Sequence, residues 1–424
     1  MPNYIGPQKI IEKKKAFLFP CTHHFYKNPP QIVKGTMQYL FDAQGKKYLD
    51  CFAGVSVMNC GHCNPEILEA AIHQMRTLQH TTAIYLTQPM ADLAEKLSHL
   101  LPGDITRSFF CCTGSEANEG ALLLARLFTG RNDFIALNNS LHGRTYLAMS
   151  TTAIPMWRTD PNLSDCVTFV PNAYHRGKAS EHAAAASLDG IEKAIESKGG
   201  HRIAALIAEP IQGNGGIITP PQWYFKKLKA VLEKHGILLI VDEVQTGFAR
   251  TGKMFAIEHY AIVPDIMTIA KAMGNGMPIA ALCTNDKIAA AFAKPSASTF
   301  GGNPVASSTA IAVLDYIRKY NLCANAARLG LKLQSGLRAL RKKYPVICDV
   351  RGLGLMVGAE LLKENGAPAS AETDLILEAL KDQGVLIGKN GLARNVLAFQ
   401  PPLVITENDI GFLLEALEDV LGRI

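Results

Sequence analysis

Two runs decide the fold. Ile237-Leu238-Leu239-Ile240-Val241 leads directly into Asp242-Glu243, and Ile266-Met267-Thr268-Ile269-Ala270 leads directly into Lys271. Each is a nearly continuous apolar stretch that stops on a charged side chain. Alternation would mark a strand with one wet face; continuity marks a strand buried on both faces, as in a parallel sheet covered by helices. The same form recurs at Ser108–Cys112, Phe134–Leu137, Ile203–Ala208 and Ile279–Cys283. Helical patterns such as Gly120–Thr129 and Trp223–His235 lie between them, giving the rhythm of an α/β domain.

The flanks read differently. Met37–Asp42 and Lys47–Cys51 surround the turn Ala43-Gln44-Gly45 and predict a hairpin. The Ala-rich patch His182–Ser187 reads as helix or loop. A long helical pattern over Ala306–Tyr320 leads into a separate α+β region around Val350-Arg351-Gly352-Leu353-Gly354. The expected division is a large domain over 70–305, with residues 1–69 and 306–424 forming a smaller one.

Composition narrows the function classes. The chain has 424 residues, 48% hydrophobic and 19% charged, which suits a folded protein with more than one core. Its net charge of +6 is spread out, the densest run being Lys13-Lys14-Lys15, so a nucleic-acid-binding face is not expected. Ten scattered cysteines suggest reduced thiols. Cys60 and Cys63 bracket His62, yet no second pair completes a metal site. The opening residues MPNYIGPQKIIEKKK carry no apolar signal core, and no stretch reaches the ~18 apolar residues of a membrane span. The expected location is the cytoplasm.

Ligands of open α/β sheets bind beyond the carboxyl ends of the strands. Four candidate strands, read as adjacent, end there on polar groups: Thr113-Gly114-Ser115-Glu116, Glu209-Pro210, Asp242-Glu243 and Lys271. Thr113 and Glu116 form a capping-box pattern, so the backbone N–H groups of Gly114 and Ser115 open a helix and suit a phosphate. An ordinary cap explains that motif equally well. A carboxylate at the depth of Asp242 requires a cation, either a salt-bridge partner or a protonated ring nitrogen. A lysine at a buried strand end has a depressed pKa and is nucleophilic, although surface snorkelling is the commoner fate of lysine. Together the three describe one ligand, pyridoxal 5'-phosphate: lysine for its aldehyde, acid for its ring nitrogen, helix start for its phosphate.

The chain from about residue 20 onward resembles the class III aminotransferases of fold type I. The resemblance is carried by YLDCFAGVSVMNCGHCNPE, CCTGSEANEGAL, LHGRT, AEPIQGNGG, LLIVDEVQTGFARTG, DIMTIAKAMGNGMP, STFGGNP and VRGLGLMVGAEL. Within the class it is most similar to the alanine–glyoxylate and ω-amino-acid branch. It implies a large domain with a mostly parallel seven-stranded sheet plus a small α+β domain from both termini. It assigns Lys271 as the lysine bonded to the cofactor and as proton carrier, Asp242 to the pyridine nitrogen, Gln245 to the ring hydroxyl, and Gly114 and Ser115 to the phosphate. Thr299 matches a threonine reaching the phosphate held by the neighbouring subunit, which implies a homodimer, or a tetramer built from it, with shared active sites.

Two departures stand out. Leu141 occupies a position usually aromatic and stacked on the ring, with His142 next to it a candidate for part of that role. Ala398 stands where the family carries an arginine that binds an α-carboxylate and pairs with the glutamate at position 209 here. Glu209 then needs another partner, either Arg394 folding back or a substrate ammonium. Arg144 matches a position that holds a distal carboxylate in some ω-aminotransferases; a plain surface arginine is the equal alternative. The expected reaction moves an amino group from a primary amine, such as β-alanine or 4-aminobutyrate, to pyruvate, glyoxylate or 2-oxoglutarate. α-Amino-acid or diamine transamination and racemisation or epimerisation are the alternatives within the cofactor class. A non-catalytic binding protein is the rival outside it. A dinucleotide oxidoreductase is disfavoured because no G-x-G-x-x-G follows a strand.

Overall fold

A computed structural model describes residues 4–175 and 181–423. Residues 1–3 of the N-terminal segment read above lie outside them. Fifteen strands form three sheets among the described residues. In chain order they are β1 (Ile32–Thr36), β2 (Tyr39–Asp42), β3 (Lys47–Asp50), β4 (Arg107–Cys111), β5 (Asp133–Leu137), β6 (Val167–Val170), β7 (Ile203–Ala208) and β8 (Leu238–Asp242). There follow β9 (Ile266–Ile269), β10 (Ala280–Thr284), β11 (Ile347–Leu353), β12 (Met356–Leu361), β13 (Val385–Leu386), β14 (Gly388–Asn390) and β15 (Val396–Phe399).

The central sheet has seven strands in the order β4-β10-β9-β8-β7-β5-β6. Neighbours are parallel except at β10, which runs antiparallel to both β4 and β9. This corrects one expectation. The polar strand ends at Thr113, Glu209, Asp242 and Lys271 do not sit on four adjacent strands, because β10 separates β4 from β9. Being antiparallel, β10 brings its start, not its end, to the same edge. Continuous apolar burial looks the same in either direction, so the sequence alone does not reveal the reversal. Strands β5 and β7 to β10 are buried throughout.

The chain ends meet as expected. The β2–β3 hairpin closes on Asp42, whose Oδ1 accepts the backbone N–H of Gln44 and Lys46. C-terminal β13 then pairs in parallel with β3, so one sheet draws on both ends. The third sheet has the order β11-β12-β15-β14. The Ala-rich patch lies in a helix, Glu181–Lys198. The helical stretch near residue 306 is Pro304–Lys319, opened by Pro304 with Asn303 as its cap. No helix among the described residues is long and apolar enough to cross a membrane.

Candidate active site

The polar strand ends do converge. A cavity of about 440 Å³ at the carboxyl edge of the central sheet is lined by Gly114, Ser115, Leu141, His142, Arg144, Glu209, Asp242, Gln245 and Lys271, all singled out in the sequence.

One wall is a helix start. The helix Gly114–Thr129 has a reciprocal capping box: the Thr113 hydroxyl accepts the Glu116 N–H, and the Glu116 carboxylate accepts the Thr113 N–H at 2.8 Å. Gly114 and Ser115, in the first turn, have no carbonyl one turn earlier to receive their N–H groups. The loop before Thr145 closes onto this start. Gly143, at φ +151°, leaves a side chain no room: a Cβ there would fall 2.9 Å from Ser115 Cα. The Arg144 N–H donates to the Ser115 hydroxyl at 3.1 Å.

The buried acid has found its partners. Asp242 is 4% exposed. Instead of the arginine or lysine a structural salt bridge would need, it has His142 Nδ1 at 2.8 Å and Asn118 Nδ2 at 2.8 Å, both on Oδ2, and the Val244 N–H at 3.0 Å on Oδ1. His142 therefore meets the carboxylate with its ring edge.

Lys271 follows β9 with φ +48°, a left-handed conformation that non-glycine residues adopt at a cost and that clusters at functional sites. Burial pushes its amine below the ordinary lysine range, against the opposing pull of Asp242 and Glu209. Glu209 did need partners, and the backbone supplies them: the N–H groups of Leu141 and Gly213 donate to its two oxygens at 3.0 Å each. Burial nonetheless raises its carboxyl to about 7, with nearby His142 working against the rise and Asp242 adding to it.

The side chains named for the cavity's outer parts are more scattered. Arg144 is exposed at the rim. Arg394 is not in the lining; its guanidinium lies 4.8 Å from the centre of the Phe25 ring. Thr299 is exposed and also outside the lining. Of the specificity segments, Val57 lines the cavity while Tyr85 stands exposed. Ala398 is fully buried in a row of small residues, Gly358-Ala398-Gly388, across three strands, and the Phe52 ring fills the space beside Gly388. Several lining residues were not singled out in the sequence, Asn118, Trp157 and Asn214 among them. Asn118 carried no local signal, since it adjoins Glu119 in a polar stretch of the helix start. Trp157 follows no pattern that marks it. Cys60 and Cys63 form no metal site: Cys60 is buried, Cys63 exposed, and His62 pairs with Asp50 at 2.7 Å. No group of three or more metal-binding side chains occurs among the described residues.

Within this cavity the buried atoms Gln245 Oε1 and His142 Nε2 have no hydrogen-bond partner. An unpaired acceptor, a desolvated amine, a held carboxylate and a helix start around one space suit a flat, phosphate-bearing aldehyde, so the residues fit pyridoxal phosphate. Fold and site thus define a fold-type I pyridoxal-phosphate enzyme. The chain belongs to the class III aminotransferases: the family model described as "Aminotransferase class-III" matches residues 24–421. It is 42% identical to alanine–glyoxylate aminotransferase 2 homolog 2, mitochondrial, of Arabidopsis thaliana, covering 100% of this chain and 89% of that one. It is 37% identical to an acetylornithine aminotransferase of Methanothermobacter thermautotrophicus, covering 98% of each. A solved thermostable (S)-enantioselective omega-transaminase from Thermomicrobium roseum superposes with a TM-score of 0.90 at 31% identity, covering 99% of each chain. The enzyme is an aminotransferase, and its cofactor is pyridoxal phosphate.

Proposed function

We propose that the donor is a primary amine whose reacting carbon bears no carboxylate, an ω-amino acid such as β-alanine or 4-aminobutyrate, and that the acceptor is pyruvate, glyoxylate or 2-oxoglutarate. The observation carrying this is the charge pattern of the cavity. Of the lysines and arginines among the described lining residues, Lys271 lies with Glu209 and Asp242 while Arg144 stands at the exposed rim, and Ala398 offers no cation. A donor α-carboxylate set beside Glu209 and Asp242 would lack an arginine to offset the two acids, at high desolvation cost, and the carboxylate that adjoins the reacting carbon of the keto acid has to lie away from them, toward Arg144. Arg144, at the rim, fits a carboxylate at the far end of an ω-amino acid.

In this reading Lys271 would hold the cofactor through its aldehyde, and its freed amine would take the proton from the carbon that bears the amino group and hand it on within the same half-reaction. Asp242 would hold the ring nitrogen, Gln245 the ring hydroxyl, Gly114 and Ser115 the phosphate, and Leu141 and His142 would pack against the ring. The cofactor supplies the electron sink. Thr299 reaches the phosphate held by the partner subunit of a homodimer. In support, its neighbour Phe300 is exposed with its ring 5.1 Å from that of His80, and the chain just after His80 exposes Ile84, Tyr85 and Leu86. A diamine donor is the second reading, favoured by Glu209: a carboxyl near 7 with backbone partners only is free to receive an ammonium.

The test is a donor screen against the three keto acids, on wild type, Arg144→Ala and Arg394→Ala. Arg144→Ala should raise KM for carboxylate-bearing donors about tenfold, as expected for a lost charged hydrogen bond. If neither arginine matters for those donors, the proposed substrate geometry is wrong.

A further inference from the structure

Asparagine is usually solvent-facing within a helix, because its short amide competes for backbone partners. Asn118 does the opposite. It is 1% exposed in the second turn of the helix that begins at Gly114. Every polar function it has is used. Nδ2 donates to the His142 carbonyl at 2.6 Å and to Asp242 Oδ2 at 2.8 Å, and Oδ1 accepts the Thr268 hydroxyl at 2.7 Å. Thr268 is fully buried, stands opposite Asp242 in the β8–β9 register, and lies three residues before Lys271.

The chemistry of the chain of bonds is directional. The Asp242 carboxylate and the His142 carbonyl only accept, which fixes the amide with its NH₂ toward them; the flipped amide would set oxygen against both. The amide oxygen is left for Thr268, whose hydroxyl must then donate to it. Oδ2 of Asp242 is then occupied by Asn118 and His142. Oδ1, with only the Val244 N–H on it, keeps capacity for one more donor. The helix bearing Asn118 is also the one whose first turn presents Gly114 and Ser115, so a single rigid element fixes both the start of the helix and the rotamer of the acid.

We propose that Asn118, locked by Thr268, is a positioning residue that aims Asp242 at the ring nitrogen of pyridoxal phosphate and fixes its distance from the phosphate subsite. This rests on the reading of Asp242 given above. The test uses enzyme resolved of cofactor and titrated with pyridoxal phosphate or with its 1-deaza analogue, which has carbon in place of the ring nitrogen. Wild type should prefer pyridoxal phosphate. Asn118→Ala should weaken it about tenfold to a hundredfold, the scale of a lost bond to a charged group, while leaving the deaza analogue within twofold. Thr268→Val should show the same selective loss, about threefold to tenfold, and carries the test if Asn118→Ala does not fold. Equal losses for both ligands, or none for either, would overturn the proposal. Asp242→Asn separates the two ideas. It should abolish the preference; if the preference survives, the role of Asp242 falls, and if it vanishes there but is intact in both Asn118→Ala and Thr268→Val, only the role of Asn118 falls.

Discussion

The inner and outer halves of the cavity are built on different terms. Inside, Lys271, Asp242, Glu209 and the Gly114 turn hang from ends of a sheet whose central strands are fully buried, and the two acids are hydrogen-bonded in place. Outside, Arg144 and Thr299 are exposed, and Arg394 leans on Phe25 instead of the cavity. A rigid floor holds the chemistry common to the family. The rim is looser, and the proposed choice of substrate rests on it.

That contrast can be broken, starting with its largest expected effect. Lys271→Ala should lower the initial rate with any amine donor and pyruvate by about 10³-fold or more, since it removes the group proposed both to hold the cofactor and to carry the proton. A variant keeping a tenth of the rate would show that the floor does not carry the reaction.

The next effect sits where floor meets rim. If a diamine is a substrate, its KM should fall as pH rises through about 7, as the Glu209 carboxyl ionises. Glu209→Gln should raise that KM roughly tenfold and flatten its pH dependence, leaving β-alanine little changed. An unaltered pH profile in Glu209→Gln would remove the diamine reading and sharpen the ω-amino-acid one.

A smaller effect concerns stability alone. Burial raises Glu209 and also Glu243 from an ordinary 4.5 to about 7. Between those values the folded state binds more protons than the unfolded one. These groups therefore cost nothing at pH 4.5 and below, and destabilise the protein progressively as pH rises through 7. The melting temperature of cofactor-free enzyme should drop a few degrees from pH 5.5 to pH 8. Glu243→Gln, which keeps an acceptor for the Ile257 N–H at 2.7 Å, should reduce that drop. An unchanged slope would mean that Glu243 is not burdened by its burial. The smallest effect is expected at the rim: Arg394→Ala should change KM for ω-amino acids less than twofold, and a tenfold change would mean that Arg394 swings from Phe25 into the cavity.

The floor was largely legible because each of its groups interrupts or ends a strong local pattern. Lys271 and Asp242 stop apolar runs, and Thr113-Gly114-Ser115-Glu116 is a capping signature. The strand limits shifted by only a residue, Ile237–Val241 becoming Leu238–Asp242. Asn118 was not legible, because its meaning depends on which strand the helix covers. The fate of Glu209 was half legible: the sequence exposed the missing arginine at Ala398, and only the fold revealed the Leu141 and Gly213 N–H groups as its partners.

The sequence by itself determined the class of fold, the cofactor chemistry and the inner residues, since apolar continuity, caps and strand-end charges are local facts about the chain. Tertiary structure decided the reversal of β10, the bonding of Asp242 to His142 and Asn118, and the withdrawal of Arg394 onto Phe25. Each of these is a relation between segments far apart in the chain. Strand direction and side-chain partners are settled by which surfaces pack, and no local pattern encodes that.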